Sequence, residues 1–194
     1  MSTNPPVQPA EMPSLSEPAR WPKTVGVISV VWGSIGLLCG TCGFAYMIFM
    51  PQLMRMAEEQ FKEPVPSVML PGLAAKVFMV LGMLPPPILL AGGIALLRRK
   101  AAARPLHLVY AVLATILMIG GTVVQAQQQL AIMQWAKENA SSKWAQQGNS
   151  PTGLLIGFVM LLIFLIWPLF CMVWFGGIKR DPSEWTVAPE PPAA

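Results

Sequence analysis

Residues 25–47, "VGVISVVWGSIGLLCGTCGFAYM", decide the fold class. The stretch contains no Asp, Glu, Lys or Arg. A helix needs about 20 predominantly apolar residues to cross the ~30 Å hydrocarbon core of a bilayer. This stretch meets that requirement, and it carries a second pattern. Gly26, Ser29, Gly33, Gly36, Gly40 and Gly43 recur at alternating intervals of three and four, and Gly36 and Gly40 form a GxxxG pair. Lipid tails are as apolar as leucine, so helices in a bilayer associate by close packing, which small residues allow. The 3.5-residue period favours a left-handed crossing. The spacing predicts a packing seam within a bundle, with a homodimer face as the sharper alternative.

Three further apolar stretches follow the first, Val25–Met50. They are Val77–Leu97, Leu106–Val124 and Gly153–Ile178. The whole chain of 194 residues is 54% hydrophobic and only 11% charged, where a soluble domain carries about 25% charged residues. The expected fold class is therefore an all-α integral membrane protein: a four-transmembrane-helix bundle with helical extracytoplasmic extensions and disordered termini. The first stretch follows a polar, Pro-rich tail and is too long for a cleaved signal segment, so it reads as a signal anchor. The domain organisation is a disordered cytoplasmic tail over 1–20, a membrane domain over 21–180 and a second disordered cytoplasmic tail over 181–194. Both tails lack hydrophobic periodicity and are rich in proline.

Lys and Arg orient the bundle. Arg20 and Lys23 precede span one, Arg98, Arg99, Lys100 and Arg104 separate spans two and three, and Lys179 and Arg180 follow span four. These eight are assigned to the cytoplasmic side of a plasma or inner membrane, together with both termini. Arg55, Lys62, Lys76, Lys137 and Lys143 are spread over the two longer outer loops, beside Glu58, Glu59, Glu63 and Glu138. The net charge of +4 is thus explained by topology, and no basic-aromatic pattern suggests nucleic acid.

The outer loops read as helical. Met50, Leu53, Met54, Ala57 and Phe61 share one face, with Arg55–Glu59 and Glu58–Lys62 at i,i+4 on the other. Pro64 and Pro66 end that helix. No Gly or Pro occurs between Thr122 and Gln147, so span three is expected to continue outward and stop near Gly148, with Trp135 and Trp144 at the headgroups. A weak internal repeat emerges, each half consisting of a span, an outer helix, a Pro-marked turn (Pro71, Pro151) and a returning span containing proline. A second small-residue seam through His107, Ala111, Ala114, Met118, Gly121 and Gln125 predicts that spans one and three pack together.

The second span contains "GMLPPPILL", residues 82–90. Pro85, Pro86 and Pro87 cannot donate to the carbonyls of Leu81, Gly82 and Met83. Each residue before a proline is pushed toward extended geometry. A non-helical turn near mid-bilayer is expected, with freed carbonyls facing protein, because facing lipid costs several kcal/mol. Ser29, Ser34, Thr41, Thr115 and Thr122 are the hydroxyls within reach of such a break.

Chemistry-bearing groups are few. Cys39 and Cys42 form a CxxC, a redox candidate in principle. The architecture resembles the quinone-linked membrane thiol oxidoreductases, four-helix bundles with a CxxC near the outer surface. That resemblance implies a second exchanging pair in an outer loop, and neither loop here contains Cys. His107, the sole histidine, follows Arg104 by three residues and is expected at the interface. The spans contain no Asp, Glu, Lys or Arg, and no Gly-rich phosphate loop, nucleophile elbow or HExxH occurs. No catalytic residue, metal ligand or cofactor is assigned.

The inside termini, the Pro-rich tail and "KTVGVISVV" opening span one make the broad arrangement similar to that of known tetraspan proteins. The leading expectation is a non-enzymatic membrane scaffold or interaction protein whose partners are the lipid bilayer, copies of itself or other membrane proteins. A transporter or channel component using the broken second helix is the alternative, and a thiol oxidoreductase the third.

Overall fold

The computed structural model describes residues 20–148 and 152–177. The expected tails, Lys179, Arg180 and the Pro151 turn lie outside the described residues. Helix is the only regular structure among those described. The order is α1 (Trp21–Phe61), a short 3-10 turn (Ser67–Met69), α2 (Leu73–Leu81), α3 (Pro85–Leu97), α4 (Ala103–Glu138), α5 (Lys143–Gly148) and α6 (Thr152–Met172), with a π-helical turn at Val173–Gly177. Four segments are long and apolar enough to cross a membrane: Trp21–Phe61, Ser67–Leu97, Ala103–Glu138 and Thr152–Gly177. Their outward surfaces carry large apolar side chains, among them Leu38, Leu155 and Ile166, each about two-thirds exposed.

Helix α1 starts with Pro22 in its first turn, where the missing amide costs nothing, and runs through Pro51 without stopping. Its 41 residues extend ~61 Å at 1.5 Å each, about twice the hydrocarbon thickness of a bilayer. The outer helix expected after Met50 is therefore the continuation of span one. It ends where Lys62 turns left-handed (φ 58°) and its N–H caps the Glu58 carbonyl at 2.8 Å. Lys62 thus leaves the helix, and the expected side-chain spacing to Glu58 is lost.

Helix α4 also extends well beyond a bilayer span, but it stops at Glu138 rather than near Gly148. The cause is "NASS", residues 139–142. Asn139 turns both its backbone N–H and its side-chain amide to the Trp135 carbonyl, at 3.0 and 2.9 Å. Ser142 then accepts the Trp144 N–H at 3.2 Å and starts α5. Side chains that bond local backbone compete with helix continuation, and no Gly or Pro is needed to end it.

Packing passes from α1 to α3, from α3 to α4 and from α4 to α6. Helix α1 meets α6 and the π-helical turn that follows it through rings instead. Trp32 lies 5.8 Å from Phe164, and Trp21 lies 5.8 Å from Trp174 and 6.4 Å from Phe175, between centroids.

Gly26, Gly33 and Gly36 of the α1 seam face the second span, and only Ser29 of the seam is seen to reach the third, at His107. A Cβ at Gly33 would fall 3.0 Å from the Leu90 nitrogen and 3.1 Å from the Pro86 oxygen. One at Gly93 would fall 3.0 Å from the Gly26 oxygen. The seam ends at Gly36, against the Pro86 ring, while Gly40 and Gly43 meet nothing within 4 Å. The reason is the course of the second span. Beyond Pro85 the chain steps away from α1, and α2 lies on α4, with Phe78 against Gly120 and Gly121.

Candidate functional site

The prolines do not form the non-helical turn; they open α3. Pro85 takes the first helical position, so the three prolines occupy a turn whose amides have no intrahelical partner anyway. Leu84 is right-handed helical (φ −76°, ψ −41°), not extended. The discontinuity lies just before, at residues 82–84, and is tightly wound. Gly82 N–H reaches Phe78 O at 2.8 Å, Met83 N–H reaches Val80 O at 3.1 Å and Leu84 N–H reaches Leu81 O at 3.0 Å. Leu81, one of the carbonyls that proline was expected to orphan, is thereby satisfied. Three of the hydroxyls expected to serve the break do not serve it. Ser29 bonds His107, Thr41 donates to its own Leu37 carbonyl at 2.8 Å, and Thr115 Oγ1 is buried without a partner.

The step of the second span from α1 to α4 leaves a gap. A cavity of about 630 Å³ lies there, bounded by Gly33 and Gly36 of α1, Gly82 at the break, Pro86 of α3, and residues of α4 and α6. Its wall is mainly apolar: Leu117, Met118, Ile156, Met160, Leu161 and Phe164. Its polar side chains include Tyr110 at one end of the α4 wall and Thr122 and Gln125 at the other. No carboxylate, amine or guanidinium lines it. A second hollow of about 290 Å³ shares Thr122, Gln125, Gly153 and Gly157 with it and adds Gln129 and Phe158.

Below the cavity, toward Trp21, a polar node locks three elements. His107 has no exposed surface and is enclosed in the core rather than placed at an edge. Its Nδ1 lies 2.7 Å from the Ala103 carbonyl, which can only accept, so Nδ1 carries the hydrogen. In the neutral ring Nε2 then accepts from Ser29 Oγ at 2.9 Å. Phe175 stacks on the imidazole at 4.4 Å, and Arg104 Nε donates to the Phe175 carbonyl at 2.9 Å. Gly92 makes room, since a Cβ there would lie 3.1 Å from the imidazole.

At the opposite end the two outer extensions form one headpiece. Glu63 accepts from Ser142 Oγ at 2.7 Å and from the Lys143 N–H at 3.2 Å. Trp144 Nε1 donates to the Glu63 carbonyl at 3.3 Å, and its ring meets Phe61 edge-on at 4.8 Å. Lys143 Nζ donates to the Phe61 carbonyl at 3.1 Å. Trp144 is buried in this clasp instead of facing outward alone.

Cys39 and Cys42 are free and exposed on α1, one turn apart, away from the cavity wall. Cys171 is free and buried. The break prolines and Gly33 and Gly36 are thus brought together, whereas Gly40, Gly43 and the CxxC stand apart. Sequence reasoning missed Glu63, because no local spacing connects it with Ser142, 79 residues away. It also missed the α6 wall, whose Gly153 and Gly157 pattern resembles any small-residue spacing in a membrane helix.

No family model, curated protein or solved structure matches the chain.

Proposed function

We propose that this chain is a non-enzymatic integral membrane protein that recruits partners through its headpiece, with both termini cytoplasmic. The observation that carries the reading is the Glu63 clasp. It ties α1 and α5 across two separate loops by four hydrogen bonds and a ring contact, so the exposed surface of the headpiece is preorganised. A preorganised surface binds without the ordering cost of a flexible loop. The orientation rests on the Arg98–Lys100 turn and Arg104, which stand with Arg20 and Lys23 at the end opposite the headpiece.

The test is proximity cross-linking in native membranes followed by purification. Partner cross-links should map to residues 55–63 and 134–146 and fall in Glu63→Ala with Trp144→Ala, while membrane insertion is unchanged. Partner cross-links that map only to the spans or tails, or persist in the variant, would refute the headpiece reading.

One observation favours a second reading, a transporter or channel component. The cavity lies beside the break in the second span, where discontinuous helices of transporters bind solutes. Solute flux in proteoliposomes that is lost when residues 85–87 become Ala-Leu-Ala would support it; equal flux in empty vesicles would dismiss it.

A further inference from the structure

We propose that the cavity beside the proline step holds one acyl chain of a bilayer lipid, entering sideways between α1 and α6 from the leaflet on the headpiece side. This site is independent of whether the headpiece recruits a partner.

Three observations carry it. The first is the lining. A cavity of about 630 Å³ falls within the ~300–1,000 Å³ of ordinary ligand sites, and its wall is apolar along most of its length. A flexible hydrocarbon chain laid along such a wall gains dispersion contacts with each apolar side chain it meets. The absence of charged lining groups leaves nothing to recognise an ion.

The second is the gradient along the wall. Its first and last α4 residues, Tyr110 and Gln125, are separated by ~22 Å of helix at 1.5 Å per residue. One leaflet of hydrocarbon is ~15 Å deep, half of the ~30 Å core. The site is therefore long enough for a chain that spans its leaflet. The amide of Gln125 and the hydroxyl of Thr122 lie at the headpiece end, where the adjoining hollow adds the Gln129 amide. Neutral donors and acceptors there suit the ester or amide linkage that joins an acyl chain to its headgroup.

The third is the doorway. Helix α1 is joined by rings to α6 at Trp32–Phe164 and, farther from the headpiece, to the π-helical turn by Trp21 against Trp174 and Phe175. On the headpiece side of Trp32, Ile35 of α1 and Ile156 and Met160 of α6 line the cavity and remain about half exposed. The cleft is closed below and open above, toward the hydrocarbon of that leaflet. Water would have to cross apolar surface to use the same door.

The test uses the full chain in phosphatidylcholine vesicles that contain a diacyl lipid with a photoactivatable acyl chain. Adducts are mapped by peptide mass spectrometry. They should concentrate on Leu117 and Met118 relative to outward-facing Leu38, Val112 and Ile166. Gly157→Phe should reduce them about tenfold, equivalent to ~1.4 kcal/mol or roughly two buried methylenes, and Gly157→Ala should not. Gly157 is chosen because its nearest neighbour, Gln125 Nε2, is 4.0 Å from an added Cβ. Adducts spread evenly over outward residues and unchanged in Gly157→Phe overturn the site, leaving ordinary boundary lipid. Labelling by a photoactivatable free fatty acid but not by the diacyl probe overturns the assignment to a bilayer lipid. A measurement independent of the filled variant is the reaction of Met118→Cys, on the less exposed α4 wall, with a membrane-impermeant maleimide, read at that residue. Slow reaction supports a lipid-filled site, and fast reaction overturns it by showing water.

Discussion

Ser29 and His107 lie 78 residues apart in the chain and 2.9 Å apart in space, and neither has exposed surface. This contact joins α1 directly to α4, although both helices pack mainly on α3. Ser29→Ala leaves Nε2 without its donor and should cost about 0.6–2 kcal/mol, the range of interhelical hydrogen bonds in membranes. His107→Ala also removes the stack on Phe175 and opens a void, so it should cost more, about 3 kcal/mol. Unfolding by titration with a denaturing detergent, followed by circular dichroism, measures both. Equal, negligible losses would mean that the node is idle.

The glycines of α1 should divide sharply. At Gly33 an added Cβ meets only backbone atoms and one α-carbon, between 3.0 and 3.2 Å, none of which can yield without separating the helices. Gly33→Ala should destabilise by about 1–3 kcal/mol, as overpacking does. Gly40→Ala meets nothing and should be neutral or slightly favourable, because alanine is the better helix former. The same unfolding experiment distinguishes them. If both variants behave alike, the α1–α3 contact is misplaced.

Cross-linking checks the register directly. A Cβ built at Gly36 lies 3.2 Å from the Pro86 Cβ, close to the separation a disulfide needs. Cysteines at Gly36 and Pro86 should oxidise readily. Cysteines at Gly36 and Ala114 should not, because these residues line the cavity from different helices. Gel mobility after mild oxidation, with and without reductant, reads the outcome.

The four apolar stretches and the small-residue seam were legible because each is a local pattern. The helical character of both outer segments and the outward continuation of α4 were legible too, whereas the continuity of the first outer helix with α1, through Pro51, was not. The seam's partner was not. Small residues mark which face of α1 is close to something, but Gly92 and Gly93 of α3 and Ala111 and Ala114 of α4 offer equally small surfaces. Helix direction after the break chooses between them. The proline triplet misled in a similar way. Proline forbids a helix interior but favours a first turn, so "LPPP" is compatible with a break or a beginning. The end of α4 depended on Asn139 and Ser142, residues whose side chains act only if the backbone has already turned toward them.

The placement of the prolines in a first turn has a measurable consequence. Interior prolines cost a helix about 3 kcal/mol each, so their removal would stabilise strongly. Here, replacing Pro86 and Pro87 by Ala and Leu should change stability by less than about 1 kcal/mol, because the first-turn amides have no partner to gain within α3. The replacements do supply donors that the carbonyls of Gly82 and Met83 can accept, which favours a continuous α2–α3 helix. The distance between spin labels at Lys76 on α2 and Ile48 on α1 should then shorten as α2 swings toward α1. An unchanged distance distribution would show that Gly82, rather than the prolines, sets the step.

The headpiece should come apart from one residue. Glu63 is the acceptor for both Ser142 Oγ and the Lys143 N–H, so its carboxylate sits at the N-terminus of α5 and favours the helix dipole as well. Glu63→Ala removes both bonds and should cost the headpiece about 1–3 kcal/mol. The effect is local, because α5 contacts the spans chiefly through α4. Hydrogen exchange should therefore quicken across residues 143–146 and leave α3 unchanged. Glu63→Gln keeps an acceptor oxygen without the charge and should restore most of the protection. Recovery in Gln but not in Ala assigns the clasp to hydrogen bonding, whereas loss in both assigns it to the charge at the α5 terminus. Protection retained in both variants would leave Phe61 and Trp144 as the contact that holds the headpiece.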